Sequence, residues 1–409
     1  MKLIIGITTR FGSGATSTKK LLKIWKGFKE YSLSEELKNT AKKTYPDFET
    51  KSENIKRKIL QDIGDEKRKH NPRVLANNII RKIKRSKNKY FVVDCIKNPA
   101  EIQAFRETFN NFFLLAIDAQ TETRWQRLKD VYKNNRVQFD IDDERDAGDN
   151  EQPYGQKVKE CMELADILIN CDENFFDSQK KLNKNAVFNY YTNLAYYIDM
   201  MENPGILKPR LDELYMNYAY SASLMSMCHK RRVGAVIVHE KYEFIKKKKF
   251  IRESYVIATG HNNTPKLVQP CDKCYRDKIR EDYSKDMHYC RNCGHKLDNT
   301  DKICTSCEFN NLTFPSKLLD LCQSVHAEEA AILQSARIGG IPLENAKLYT
   351  TTLPCLLCAK KIIFSGIKEV VYLESYPVKE SLEMLREAGI IVNKFEGVNA
   401  RAFYRLFKE

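Results

Sequence analysis

Eight of the 13 cysteines in this 409-residue chain stand in four Cys-x-x-Cys pairs: Cys271/Cys274, Cys290/Cys293, Cys304/Cys307 and Cys355/Cys358. Two thiols at that spacing turn the same way and can grip one metal ion, and in an intracellular chain such pairs mean metal far more often than disulfide. The fold is therefore constrained to bring separate segments together around metal. The start, Met1 to Thr9, is a short apolar stretch that runs into a Gly-rich loop with no small-residue cleavage site. It reads as a first β-strand and not as a signal peptide, so a cytoplasmic location is expected. No run of about eighteen apolar residues occurs, so no membrane span is expected. Cys95, Cys161 and Cys171 stand alone in apolar or helical contexts and read as packing residues.

The last pair has a particular context. His326-Ala327-Glu328 is followed by Pro354-Cys355-Leu356-Leu357-Cys358. This is the H-x-E…P-C-x-x-C arrangement of zinc nucleobase deaminases. Cys355 and Cys358, three apart at a helix start, present both sulfurs on one side, and the positive helix end favours thiolates. Pro354 is expected where that helix begins, since it has no backbone N–H to leave unpaired. His326 opens a second helix and supplies a third ligand. Three protein ligands leave the fourth tetrahedral position to water, the mark of a catalytic zinc site. Glu328, two residues past His326, is too near in sequence to chelate alongside it. It is better placed to take a proton from that water, pass it to ring nitrogen N3 and protonate the departing ammonia.

Length and pattern argue for two domains, about 1–205 and 206–409, with the boundary near Pro204 to Pro209. In the first, Lys2–Thr8, Tyr90–Asp94, Phe112–Ile117 and Ala165–Asn170 read as strands alternating with helices, which predicts an α/β parallel-sheet domain. Phe139–Glu151 is acidic and reads as an exposed loop or lid. Asn174–Asn203 is polar and aromatic by turns and ends in a turn at Asn203-Pro204-Gly205. In the second domain, helices are expected at Leu211–Met227, Ala327–Ala336, Cys355–Ser365 and Ser381–Ala388. Strands are expected at Val233–His239, Tyr255–Thr259, Lys347–Thr351 and Glu369–Leu373. Lys246–Lys249 reads as a hairpin tip. Residues from about 266 to 322 form a Cys-rich insert.

Five blocks in the second half resemble the deoxycytidylate deaminase family, in family order. They are Met225-Ser-Met-Cys-His-Lys-Arg-Arg-Val-Gly-Ala-Val236, Gly260-His-Asn-Asn-Thr-Pro265, His326-Ala-Glu-Glu-Ala-Ala331, Tyr349-Thr-Thr-Thr-Leu-Pro-Cys355 and Ser365-Gly-Ile-Lys-Glu-Val-Val-Tyr372. The resemblance implies a cytidine deaminase-like α/β/α domain, catalytic Zn2+, a free nucleotide substrate and a homo-oligomer. It also implies that Asn262 bonds the deoxyribose, that Arg231 or Arg232 lies near phosphate, and that Tyr376 packs near the substrate. The family's Gly-Tyr-Asn-Gly effector loop reads Gly260-His261-Asn262-Asn263 here, a departure at its fourth position.

The insert is a second departure. Cys290/Cys293 and Cys304/Cys307 resemble a zinc ribbon or knuckle that staples a long loop with one structural zinc. Cys271 and Cys274 either join a further site, with Cys228, or displace one pair from the ribbon, and His288 and His295 compete as ligands.

In the first domain Gly6-Ile-Thr-Thr-Arg-Phe-Gly-Ser-Gly-Ala-Thr-Ser-Thr18 follows a strand and precedes a helix. A phosphate loop belongs there. Against the P-loop pattern, Thr9 replaces the first Gly and Ala15 the Lys, so Gly12, Ser13, Gly14 and Thr16 are expected to bind a nucleotide without phosphoryl transfer, or to be structural. Leu60–Arg68, Phe91–Glu101 and Ala116–Arg124 resemble the deoxynucleotide monophosphate kinase-like fold.

A degenerate P-loop domain joined to a deoxycytidylate deaminase-like domain resembles the anti-phage dCTP deaminases. The resemblance implies conversion of dCTP to dUTP, and of dCMP to dUMP, to deplete dCTP in antiviral defence, with the first domain regulated by a nucleotide or RNA. The net charge of +15 admits an anionic partner of any kind. It leaves one alternative in view, a deaminase of single-stranded DNA or RNA.

Overall fold

The computed structural model describes residues 2–148, 152–175, 181–245, 248–274, 277–278, 295, 303–304, 306–307, 322–339, 341–374 and 379–408. The chain divides into two compact units, Met1–Glu213 with Glu396–Glu409, and Leu214–Phe395.

The first unit is built on strands β1 (Leu3–Thr9), β2 (Lys29–Ser32), β3 (Tyr90–Asp94), β4 (Phe112–Asp118) and β5 (Ile167–Asn170). A last strand of the chain, Gly397–Val398, adds to the edge of β5, giving the order (Gly397–Val398)-β5-β4-β1-β3-β2. All pairs are parallel except that last one, which is antiparallel. β1, β3 and β4 are almost wholly buried apolar runs, as parallel strands covered by helices on both faces must be. The four strands expected from sequence are these, within a residue or two. β2 carried no signal because Lys-Glu-Tyr-Ser lies at the edge with no fully buried residue.

Two stretches differ from expectation. The acidic segment holds a helix, Arg136–Ala147, and two of its acids, Asp143 and Asp146, turn inward. Asp143 takes Arg124 at 2.6 and 2.8 Å and Arg10 at 3.1 Å, and Asp146 takes Lys97 at 2.5 Å. Carboxylates read as solvated unless cations from distant segments meet them, and no local pattern reports those cations. The aromatic stretch holds a 19-residue helix, Lys184–Glu202, which buries Tyr190, Leu194, Tyr197, Ile198 and Met201 at helical spacing.

The chain's end also differs. Residues 396–409, placed with the second domain from sequence, belong to the first unit. Glu213 accepts the Val398 N–H at 3.0 Å, Glu396 accepts the Asn170 N–H at 2.7 Å, and Asn399 donates to the Ala165 carbonyl at 3.1 Å. Behind them the helix Ala400–Phe407 buries Ala402, Phe403 and Leu406.

The second unit holds β6 (Gly234–Ile245), β7 (Lys248–His261), β8 (Lys347–Thr352), β9 (Glu369–Glu374) and β10 (Ile391–Lys394), in the order β10-β9-β8-β6-β7. β6 is antiparallel to both β7 and β8, and β8, β9 and β10 run parallel. The β6–β7 hairpin is longer than expected, pairing out to Ile245 and Lys248; of the lysine run expected at its tip, Lys246 and Lys247 lie outside the described residues. The helices Ala327–Ile338, Leu356–Phe364 and Lys379–Glu387 match expectation to within a few residues, and Ala327, Ala331, Ala359, Ile362 and Leu385 join the sheet in one core. The helix from Leu211 stops at Ser223, four residues short, because Leu224–Ser226 closes in turns onto it. Among the described residues no helix is long and apolar enough to cross a membrane.

One glycine sets the spacing at the future site. A Cβ on Gly260, in β7, would stand 2.1 Å from the Ala327 carbonyl oxygen and 2.5 Å from the Ala331 nitrogen. Those are backbone atoms of helix Ala327–Ile338, so nothing can rotate aside. Gly260→Ala is expected to lower stability by about 1–3 kcal/mol or more, read by chemical denaturation, and to depress turnover as the helix is pushed off the sheet.

Candidate active site

The site lies where two helices begin. His326 is the N-cap of Ala327–Ile338 and Cys355 the N-cap of Leu356–Phe364, both with extended backbone. Cys358 sits in the first turn of the second helix. Pro354 therefore precedes the cap instead of opening the helix, so it stiffens the approach of Cys355 and does not stand in for a helical N–H. Lys361 Nζ, 2.5 Å from Glu329 Oε1, ties the two helices together.

The sequence trio converges. His326 Nδ1 lies 3.3 Å from Cys355 Sγ and 3.4 Å from Cys358 Sγ. Among the described residues these three form the one group of metal-type ligands with all donor atoms within 4.8 Å of one another. A tetrahedral zinc at ordinary bond lengths separates its ligand atoms by about 3.5–3.8 Å, so the trio is set almost at metal spacing. Two thiols and an imidazole are also the donor chemistry zinc favours over magnesium or calcium.

The electrostatics fit a cation as well. The hydrogen bond between the two cysteines pulls the Cys355 thiol down to about 4 and pushes Cys358 well above its ordinary value. The two thiols are thus shifted in opposite directions by one shared hydrogen bond. A divalent ion removes that conflict and takes both as thiolates. The hydrogen bond with Cys355 raises the His326 imidazole.

Glu328 is 4% exposed, and its Oε2 lies 3.6 Å from Cys358 Sγ. It stands beside the trio without belonging to it. Burial pushes its carboxyl up to about 7. A carboxyl poised there is suited to pick up and hand on a proton near neutral pH.

Asn262, expected to meet the sugar, also has a structural role. Its Oδ1 accepts from Ser226 Oγ and from the Val233 N–H, both at 2.7 Å, and its Nδ2 donates to the Arg231 carbonyl at 2.9 Å. The amide clasps two loops and keeps one Nδ2 hydrogen beyond those bonds. Ser226, buried and bonded to Asn262 through both its side chain and carbonyl, was passed over in sequence. The two lie 36 residues apart, and no spacing rule pairs them. Arg231 Nη1 is 3.8 Å from Glu374 at the end of β9, and Arg232 is exposed. Tyr376 lies outside the described residues.

Of the insert cysteines, Cys290 and Cys293 lie outside the described residues. Cys304 is fully buried with Cys307 packed against it. In the first unit Gly12 and Gly14 both take left-handed backbone, and Gly14 caps the helix Ala15–Lys26. A Cβ on Gly14 would lie 2.8 Å from Cys171 Sγ, so packing alone demands glycine there. Ser13 is buried and Thr16 exposed. Lys19 Nζ meets Asp94 at 2.6 Å.

Residues 209–374 match the family described as the cytidine and deoxycytidylate deaminase zinc-binding region. The chain is 30% identical over 312 residues to the deoxycytidylate deaminase of Schizosaccharomyces pombe, covering 75% of this chain and 76% of that protein. It is 29% identical over 289 residues to that of Saccharomyces cerevisiae, covering 69% of this chain and 75% of that protein. To the deoxycytidylate deaminase of phage T4 it is 33% identical over 187 residues, covering 43% of this chain and 86% of that protein. The two yeast likenesses are longer than the second unit and so take in residues of the first.

Replacing Asn262 by Ala leaves the Val233 N–H and Arg231 carbonyl without their partner. Both groups are only partly buried, so the expected cost is about 1–3 kcal/mol in all, read by urea unfolding. Ser226→Ala, which removes a hydroxyl together with its contacts, is expected to cost less.

Proposed function

This chain belongs to the deoxycytidylate deaminase family, and from that premise we propose that it hydrolyses the 4-amino group of free deoxycytidine nucleotides, turning dCMP into dUMP and dCTP into dUTP, and that consuming dCTP serves antiviral defence. It is a hydrolytic deaminase, and its family binds zinc. The observation that carries the reading is the buried Glu328 carboxyl beside the His326/Cys355/Cys358 trio.

Zinc held by that trio supplies Lewis-acid activation of water. The protein's own part is proton traffic. Glu328 takes the proton that the attacking water gives up and delivers it to N3 of the cytosine ring. Oxygen bonds to C4 to give a tetrahedral adduct; Glu328 then takes the remaining proton from that hydroxyl and passes it to the amine, the C4–N bond breaks, ammonia leaves and the C4 carbonyl forms. Burial serves this twice: it excludes bulk water and keeps the carboxyl near the pH at which it can both accept and donate.

For the substrate, Asn262 offers its remaining amide hydrogen to the sugar, and Arg231 or Arg232 supports the phosphate, with Tyr376 beside the nucleoside. The triphosphate and the defence role are supported by the sequence resemblance, in which a loop like Gly12-Ser13-Gly14-Ala15-Thr16 precedes a deaminase domain. That loop lies at the C-terminal end of β1, an interior strand flanked by β3 and β4, where ligands of open α/β sheets bind. There it holds a nucleotide or takes regulatory RNA. The two-unit build alone does not mark defence, since the yeast likenesses extend into the first unit as well. A structural zinc on Cys290, Cys293, Cys304 and Cys307, and a homo-oligomer, complete the reading.

Ammonia release from dCTP, dCMP, CTP and single-stranded DNA tests it. Release from dCTP and dCMP is expected. Release from dCMP alone removes the triphosphate and defence role, and release from DNA alone replaces the reading with polymer editing. Glu328→Gln is expected to keep its zinc and lower kcat by about 10²–10⁴.

A further inference from the structure

Three consecutive cations, Lys230, Arg231 and Arg232, lie between the helix that starts at Leu211 and β6. Their surroundings differ. Lys230 Nζ meets Asp277 at 2.7 Å, and Arg231 Nη1 lies 3.8 Å from Glu374 Oε2. Arg232 is exposed and meets no carboxylate among the described residues. The side chains of Arg231 and Glu374 are 34% and 33% exposed, so both keep contact with water.

Each partner of that pair is tied to a segment that leads into a metal ligand. The Arg231 carbonyl accepts from Asn262 Nδ2 at 2.9 Å. The next residue, Asn263, forms a two-bond bridge with Val325, which precedes His326. Glu374 ends β9 in register with Thr352 of β8, and its carbonyl accepts the Leu353 N–H at 2.8 Å, two residues before Cys355. The ion pair therefore joins the segment that leads into His326 to the one that leads into Cys355. Glu374 drew no role from sequence, because it lies far from Arg231 in the chain.

We propose that Glu374 is an internal counter-ion that holds Arg231 ready for the substrate's phosphate and gives way to it, so that the site selects by the charge carried on the sugar. The inference rests on the reading that this site takes a deoxycytidine nucleotide, and it assigns the phosphate contact to Arg231 and not to Arg232. A guanidinium presents the same fork of N–H donors to a phosphate as to a carboxylate, so the two anions compete for one surface. A phosphate monoester carries about −1.5 to −2 charges near pH 7 against one for a carboxylate, so the phosphate wins. Glu374 is exposed enough to turn back to water when displaced. An uncharged nucleoside cannot make the exchange, and a singly charged anion gains nothing by it. Selection of this kind comes from a competitor inside the protein as much as from attraction to the ligand. In the empty site the same contact keeps a long, rotamer-rich side chain in place.

Calorimetric binding of dUMP, the product nucleotide, to the zinc-loaded full chain tests this without turnover, with deoxyuridine as the phosphate-free control. Glu374→Gln keeps the size of the side chain and removes its charge. It is expected to tighten dUMP by about two- to fivefold, the range of a partly exposed ion pair, and to leave deoxyuridine unchanged. Arg231→Ala is expected to weaken dUMP by about tenfold or more, and the double variant is expected to bind as Arg231→Ala does. Glu374→Gln that weakens dUMP, leaves it as in wild type or shifts deoxyuridine equally overturns the proposal. So does tightening that persists without Arg231. Loss of dUMP affinity in Arg232→Ala with none in Arg231→Ala moves the phosphate to Arg232 and overturns this inference alone. Wild type that binds no dUMP overturns it as well, and where ammonia release from dCMP is also absent the nucleotide reading falls with it.

Discussion

The backbone of helix Ala327–Ile338 lies so close to β7 that residue 260 has no room for a side chain. That approach fixes the depth at which the helix begins, and therefore where His326 and Glu328 stand. The second helix begins at the same place because β8 ends at Thr352 and only three residues lead to Leu356. Two positive helix ends then share one small buried volume. Each is worth about 0.3–1 kcal/mol to a nearby anion, which is too little to hold two thiolates and a carboxylate out of water. The hydrogen bond between Cys355 and Cys358 adds to the imbalance, since it lowers the first thiol and raises the second. A divalent cation makes up the difference, so helix placement, metal choice and the state of Glu328 are one problem with one solution.

The site was legible in sequence because its ligands are encoded locally. His326 and Glu328 are two apart, Cys355 and Cys358 three apart, and each pair needs only one helix start to be oriented. The strands of the first unit were legible for a similar reason, since a buried parallel strand writes its environment as an unbroken apolar run. What failed to show was set by distant partners. Asp143 and Asp146 look solvated until Arg10, Arg124 and Lys97 arrive from far along the chain. The structural bonds of Asn262 to Ser226, Val233 and Arg231 join segments far apart in the chain, and no spacing rule announces them. The tail from Glu396 looks like the end of the second unit until Glu213 and Asn170 hold it to the first.

The same distinction bears on the net charge of +15, which on its face favours a nucleic-acid partner. A charge attracts a polymer only where it faces solvent and lacks a counter-ion. In the first unit several cations do neither. Arg68 and Arg124 are almost wholly buried on Glu101 and Asp143, and Lys19, Lys97 and Arg106 are held by Asp94, Asp146 and Asp166 at 2.5–3.0 Å. These pairs use their charge to organise the interior of the first unit, and they add nothing to the formal total because the acids are counted too. The excess must come from exposed lysines and arginines spread over the surface, where neighbours within a Debye length decide the field and the sum over the chain does not. Net charge therefore weighs less here than the family likeness. Burial pushes the Glu328 carboxyl up to about 7 whichever cytosine enters, so the preference for a nucleotide over a strand rests on the deoxycytidylate deaminase likeness and not on the charge of the chain.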